Sequence, residues 1–499
     1  MQGNARFVHI CAIIECMEQK TSLYTLEHPV TFVIFGITGD LARKKLLPSL
    51  WDLYQRGNIV KKFFSVIGFS RSHYSNEQFR DYVQKILFER DSSLDESEVK
   101  NFSECFLYEA GDFLERASYE KIKICVRERD AFFGKCATKI AYLAVAPEYY
   151  EKIFENIHSS GLLITCTNEV SGLGRILVEK PFGKDVQTAR ALDKKLGSLF
   201  KEEQIFRIDH YLAKETIQNI LNFRFANHIF EPLWNKNHIE SIEIRLAEDF
   251  GVEGRGAFYD GVGALRDVGQ NHILQMLATT IMQSPLEFSA EGIRTKRLEA
   301  LDSFESVCTQ GNIDKECKQC VRAQYEAYRE ETGVARDSKT ETYFKIYVKS
   351  SLSQWEGVSF LLESGKAMEK TETFIRVHFK QASFASLCPL KSSHGCANTL
   401  TFHIKPEEGI SIVFWAKKPG FSRDLDPHNL HFQYKEGMEI HCIPDAYEYV
   451  LFEAIRGDQT LFPGTEEIRA QWEVIAPLLA HWEKEPLYTY KKGSNNITI

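Results

Sequence analysis

The chain has 499 residues, 43% of them hydrophobic and 26% charged, with a formal net charge of -8 at pH 7. That length exceeds one ordinary core and predicts two domains, while the acidic balance excludes a nucleic-acid binder of the usual basic kind. No apolar run reaches the roughly 20 residues a helix needs to cross a bilayer, so a membrane protein is excluded and a cytoplasmic location is expected.

In chain order, residues 7–17 are apolar but short, without a basic leader or a small-residue cleavage site. Residues 1–27 are therefore expected to be a poorly ordered extension, with Met17 as an alternative start. Residues 30–35 (VTFVIF) read as a buried parallel strand. Gly36, Ile37, Thr38, Gly39, Asp40, Leu41 and Ala42 follow, and then a helical pattern over 43–54. Strand, glycine turn and helix form the context in which backbone N–H groups approach a dinucleotide pyrophosphate, although the spacing is G-x-x-G-x-x-A rather than G-x-G-x-x-G. A second strand over 63–68 ends in Phe69-Ser70-Arg71-Ser72. An NAD site places a carboxylate there for the ribose hydroxyls; Arg71 instead suits a 2′-phosphate, which predicts NADP. A polar helix near 75–88, a strand at 139–145, a helix at 148–158 and a strand at 175–178 continue the alternation. The last strand runs into Glu179-Lys180-Pro181-Phe182-Gly183, at the strand end where open α/β sheets bind ligands.

After helix 186–200 comes the densest polar cluster of the chain, Arg207-Ile208-Asp209-His210-Tyr211-Leu212-Ala213-Lys214-Glu215. Buried polar groups need partners, so such a set reads as a pocket for a phosphorylated ligand with one carboxylate held for another task. Beyond residue 210 strand-like runs dominate, at 239–247, 342–348, 358–362, 374–380, 400–404, 410–415 and 430–434. Helical stretches at 263–283, 446–457 and 466–483 would cover them, giving an α+β domain with a large, mostly antiparallel sheet. Residues 302–341 are polar and irregular and read as a surface excursion. The expected division is an extension (1–27), a Rossmann-like α/β dinucleotide-binding domain (28–208), an α+β substrate and dimerisation domain (209–490) and a polar tail (491–499). Twelve scattered cysteines, including a lone C-x-x-C at Cys317 and Cys320 beside Cys308, read as reduced thiols; a metal knuckle with Cys308 is the other reading, and no metal is expected.

Glu248 and Asp249 end the strand at 239–247, Asp267 and His272 lie at the start of the helical stretch, and Lys366 follows the strand at 358–362. Oxidising an alcohol or hemiacetal needs a hydride acceptor and a base for the hydroxyl proton. His272 suits the base, and Asp209 suits the carboxylate that fixes its tautomer.

With GITGDLARKKL, EKPFG, RIDHYLAKE, RFANHIFEPLW, EGRGAFYD, RDVGQNHILQML and DAYEYVL in this order, the chain resembles the glucose-6-phosphate dehydrogenase family from about residue 30 to 485. The resemblance implies oxidation of glucose 6-phosphate with NADP+, in the oxidative pentose phosphate pathway. It implies His272 as general base with Asp209, and His210, Tyr211 and Lys214 as phosphate anchors. Lys180 would lie between nicotinamide and sugar, and Glu248, Asp267 and Lys366 would touch the substrate. Gly36, Thr38, Gly39, Asp40 and Leu41 would form the coenzyme phosphate turn, with Lys45 and Arg71 as its cations. A homodimer or dimer of dimers is implied as well. The chain departs from the family at Ala213, usually glycine, and at Thr371, where a second basic residue is common, with Lys370 beside it. Another NADP-dependent sugar dehydrogenase of the Gfo/Idh/MocA type, or a catalytically silent NADP-binding regulator, is the alternative.

Overall fold

Short β-branched and aromatic runs pair side by side in the first unit. Strands β1 (Val30–Phe35), β2 (Phe64–Ser70), β3 (Phe106–Ala110), β4 (Thr138–Leu143), β5 (Arg175–Val178) and β6 (Ile205–Arg207) form a six-stranded sheet in the order β3-β2-β1-β4-β5-β6. Every pairing in it is parallel. This is the doubly wound dinucleotide-binding order, with the strand direction of travel reversing beside β1. The computed structural model describes residues 26–164, 174–306, 320–381, 396–422, 424–436, 443–495 and 497. The expectations for residues 1–25, for Met17 and for Cys308 and Cys317 lie outside these residues.

Two units emerge: residues 1–183, 187–213 and 438–465, and residues 184–186, 214–437 and 466–499. The main change of unit falls between Ala213 and Lys214, and a late segment joins the first unit. Its helix, Ala446–Arg456, puts Val450, Leu451, Ala454 and Ile455 into the same apolar core as Phe32, Ile34 and Tyr142. Buried Arg175, at the start of β5, donates to the carbonyls of Ala454 (2.7 Å) and Ile455 (2.6 Å). Those carbonyls belong to the last turn of the helix, where acceptors lack intrahelical partners and a cation is favoured.

The second unit contains β7 (Ile239–Ala247), β8 (Phe304–Ser306), β9 (Val321–Tyr325), β10 (Tyr343–Ser350), β11 (Ser359–Gly365), β12 (Glu372–Phe379), β13 (Thr399–Lys405), β14 (Gly409–Lys417), β15 (Leu425–Gln433) and β16 (Tyr488–Tyr490). They build a ten-stranded sheet in the order β15-β14-β13-β12-β7-β11-β10-β9-β16, with β8 paired to β10. Most neighbours run antiparallel, but β7–β11 and β9–β16 are parallel. The expected sheet is present, with more strands than the sequence pattern showed.

Residues 302–341 are not a surface excursion in their described part. Val321, Ala323, Tyr325 and Tyr328 are buried in a core with Tyr343 and Tyr490. Their tyrosines hide the apolar pattern, because aromatic rings with polar tips alternate with charged residues. The described tail is likewise tied down, Arg245 donating to the carbonyl of Asn495 (2.8 Å). The expectation of reduced thiols fails for Cys136, Cys320 and Cys396, which are disulfide-bonded, while Cys105 and Cys125 are free. Among the described residues no cluster of His, Cys, Asp or Glu could hold a metal ion, and no helix is long and apolar enough to cross a membrane.

Arg207, the first cation of the dense polar cluster, serves the fold. It is 0% exposed and its guanidinium meets Asp193 (2.9 Å), Glu202 (2.9 Å) and the Thr465 hydroxyl (2.5 Å). Removing one side of a buried, hydrogen-bonded ion cluster strands the rest. Arg207→Ala is expected to lower stability by about 3–5 kcal/mol, read from urea unfolding.

Candidate active site

In the first unit the parallel sheet brings its carboxyl strand ends to one edge. At β1, the Gly36 N–H donates to Phe69 O (2.8 Å), and the Gly39 N–H donates back to Gly36 O (2.9 Å). Gly36 has φ +80°, and a Cβ there would lie 2.3 Å from Ala144 O, so only glycine closes this turn. Thr38 Oγ1 lies 2.9 Å from Ser70 Oγ, tying the turn to the end of β2. Asp40 is exposed and Leu41 half-buried where the helical run begins. That run opens as a π-helix, Ala42–Leu46, before the α-helix Leu47–Gln55. Arg71, next after β2, is exposed with its guanidinium 5.9 Å from the Tyr149 ring centre. Lys45 pairs with Asp445 (3.5 Å) and lies over the Tyr447 ring at 5.9 Å.

Strands β5 and β6 are adjacent, Val178 opposite Arg207, so Glu179-Lys180 and Ile208-Asp209-His210 emerge side by side. The Lys180–Pro181 peptide is cis. Tyr142 Oη donates to the Glu179 carboxylate (2.5 Å), as does Tyr447 Oη (3.3 Å), and Tyr150 Oη donates to the Glu179 carbonyl (3.0 Å). Burial pushes the Glu179 carboxyl above the usual range, opposed by the two tyrosine hydroxyls. Asp209 is 3% exposed and accepts the Tyr211 N–H (3.0 Å). The His210 ring stacks on Tyr447, centroids 6.1 Å apart and planes 15° apart, with Tyr211 at 5.0 Å. Sequence reasoning singles out Lys45, Lys180, Asp209, His210 and Tyr211 as candidates and gives no role to Glu179, Asp445 or Tyr447, which contact them or their neighbours. The tyrosines lie in apolar runs, where nothing in the pattern separates a core ring from a hydrogen-bond donor.

In the second unit the same geometric rule operates at one of the two parallel pairs. Strands β7 and β11 are parallel, Ala247 opposite Gly365. Glu248 and Lys366, each the next residue, therefore stand together, Nζ to Oε2 at 2.5 Å. Lys366 is buried, its ammonium 5.1 Å from the Tyr259 ring centre and 5.7 Å from that of Phe250. Thr371 donates to Asp249 (2.5 Å), and Lys370 pairs with Glu372 (2.8 Å). Lys214 immediately precedes the helix Glu215–Phe225 and lies 3.5 Å from Glu408, whose carboxylate accepts the Thr216 N–H (3.1 Å). Glu408 was not legible because it sits more than one hundred residues away on another turn.

Asp267 and His272 share one helical run, a π-helix (Leu265–Ile273) that continues as the α-helix Leu274–Ile281. The wide turns have a local cause. The Asn271 amide donates to Asp267 O (3.0 Å), and Asn271 Oδ1 accepts the His272 N–H (2.6 Å), so a side chain stands in for ladder bonds. His272 is 1% exposed and Asp267 half-buried.

The family profile described as the glucose-6-phosphate dehydrogenase NAD binding domain matches residues 33–219, and that of the C-terminal domain matches residues 221–498. A glucose-6-phosphate 1-dehydrogenase of Borreliella burgdorferi is 37% identical over 93% of this chain and 94% of its own. A relative from Arabidopsis thaliana, named glucose-6-phosphate 1-dehydrogenase 5, cytoplasmic, is 33% identical over 93% of this chain and 89% of its own. The solved structure of a glucose-6-phosphate dehydrogenase in complex with its substrate superposes with a TM-score of 0.84, at 31% identity, over 95% of this chain and 96% of that one.

Gly36→Ala puts a methyl group into an occupied space at a backbone angle that L-residues rarely adopt. A loss of about 1–3 kcal/mol is expected, together with dinucleotide affinity lowered at least ~10-fold, measured by urea unfolding and by calorimetric titration.

Proposed function

Because the chain belongs to the glucose-6-phosphate dehydrogenase family, we propose that it oxidises D-glucose 6-phosphate at C1 to 6-phospho-D-glucono-1,5-lactone. NADP+ is the acceptor in this reading, and the reaction is the first step of the oxidative pentose phosphate pathway. The observation that carries it is the edge of the parallel sheet. There the glycine turn, Arg71, Lys180 and the Asp209-His210-Tyr211 run all leave neighbouring strand ends.

The turn is tight, since added methyl groups at Gly36 and Gly39 would fall 2.3 and 3.1 Å from the chain's own carbonyls, and a tight glycine turn is what lets backbone approach a dinucleotide phosphate. Gly36, Thr38, Gly39, Asp40 and Leu41 hold the phosphates, with Lys45 beside them. Arg71 supplies the charge for a 2′-phosphate, and β2 ends in Phe69-Ser70-Arg71-Ser72 without the carboxylate an NAD ribose favours. The bound coenzyme supplies the hydride-accepting carbon; everything else falls to this chain. His210, Tyr211 and Lys214 anchor the phosphate of the sugar. Glu248, Asp267 and Lys366 hold the ring, and Lys180 steadies it against the nicotinamide. As C1 gives up hydride, the His272 imidazole takes the hydroxyl proton, with Asp209 as its carboxylate partner. Copies of the chain pair through the large sheet, where Leu430 and Phe432 of β15 are 59% and 51% exposed. A cytoplasmic location, stated in the name of the plant relative for that protein, belongs to the same reading.

The decisive experiment follows reduced nicotinamide with glucose 6-phosphate or glucose, and with NADP+ or NAD+. Turnover is expected with the phosphorylated sugar and NADP+, and much less with glucose; no turnover with any pair ends the proposal. His272→Asn is expected to keep substrate binding and to lower kcat by ~10²–10⁴. Arg71→Ala is expected to weaken NADP+ far more than NAD+ in calorimetric titrations, whereas equal losses remove its assigned role.

A further inference from the structure

The run from Ala335 to Thr342 wraps the loop that leads into the helix bearing Asp267 and His272. Asp260, in that loop, accepts from the Ala335 N–H (3.0 Å), the Thr340 hydroxyl (2.8 Å) and the Ser338 hydroxyl. The Gly261 N–H donates to Thr340 Oγ1 (2.8 Å), and the Ala264 N–H donates to Glu341 O (3.0 Å). The Leu265 N–H then donates to Glu341 Oε1 (3.2 Å).

Glu341 is only 5% exposed. Gly263 has φ +79°, and a Cβ there would lie 2.3 Å from its Oε1, so the backbone closes directly onto the carboxylate. A helix begins with N–H groups that lack intrahelical partners and with a positive dipole end. A carboxylate there satisfies both needs. Burial pushes the Glu341 carboxyl up, and the Leu265 N–H is among the groups that hold it down. Further along, Gly269 lets the helix sit against Phe344, three residues past Glu341, since a Cβ would fall 2.9 Å from that ring. Near His272, Gln471 Nε2 donates to Asn271 O (3.2 Å). The helix is thus fastened at its start, at Gly269 and beside His272.

We propose that Glu341 is a positioning residue, its carboxylate fixing the start of the helix so that His272 and Asp267 are held in register for the reaction. This rests on the reading of His272 as the base. The phosphate anchors His210, Tyr211 and Lys214 are on another segment and Asp267 is one of several groups proposed on the sugar, so the anchor governs turnover more than capture of the substrate.

The test uses the full chain with glucose 6-phosphate and NADP+. Glu341→Ala is expected to lower kcat by ~10–100-fold, the cost of about 1 Å of misplacement, with KM for the sugar phosphate changed less than ~3-fold. Glu341→Gln keeps an acceptor oxygen and is expected to recover kcat to within ~3-fold of the parent. Backbone hydrogen exchange over residues 265–272 should quicken in Glu341→Ala and return in Glu341→Gln, a readout that does not need turnover. If Glu341→Ala does not fold, Gly263→Ala, which displaces the carboxylate, should give the same kcat-selective loss and the same quickened exchange. Unchanged exchange, a loss confined to KM, or a glutamine variant no better than alanine overturns the proposal. An inactive parent chain whose variants still show the exchange pattern overturns the functional reading and leaves the anchor standing.

Discussion

Parallel pairing of strands is the constraint on which the chemistry of this chain depends. Parallel neighbours end on the same side, so residues from distant segments meet without any contact between them being specified one by one. In the first unit all six strands obey it, and the glycine turn, Arg71, Lys180 and Asp209 leave strand ends on one edge. In the second unit the sheet is mostly antiparallel, yet the parallel pair β7–β11 sets Glu248 against Lys366. An antiparallel pairing there would have sent the two residues to opposite ends of the sheet.

Buried polar groups supply the second organising rule. Arg175 finishes a helix, Arg207 joins two carboxylates, and Arg297 meets Glu467 at 2.7 Å. Each would cost several kcal/mol if left alone, and each therefore specifies which segments must come together. Glu179 and Glu341 follow the same logic with uncharged donors, a pair of tyrosine hydroxyls for one and a helix N–H for the other. Both lie next to residues with proposed roles in the reaction, so the packing of the core and the precision of the site are one problem.

Read in one dimension, the chain shows its candidates where the signal is local. The glycine turn after β1, the Arg71 that follows β2 and the dense run from Arg207 to Glu215 carry their signals within a few residues. Such signals fail where partners lie far apart. Arg207 opens the polar run read as a ligand pocket, and it serves the fold. Lys370 and Thr371 could not be ranked as substitutes for a second basic contact; each is engaged by a neighbour, Glu372 or Asp249. The strands β3, β6, β8, β9 and β16 were missed because each is short and either mixed with tyrosines and charges or confined to three residues.

By itself the sequence determined the two kinds of sheet, the glycine turn after β1 and which residues are candidates for the site. Hydrophobic period, glycine placement and ordered motifs act over short spans, and those are properties a string of residues displays. Only the tertiary structure decided that residues 438–465 complete the first unit, that the stretch ending at Glu341 clasps a helix instead of roaming the surface, and which carboxylate each buried cation chooses. Those outcomes are set by desolvation: a charge or N–H removed from water must find its partner in space, and the chain order does not say where that partner will be.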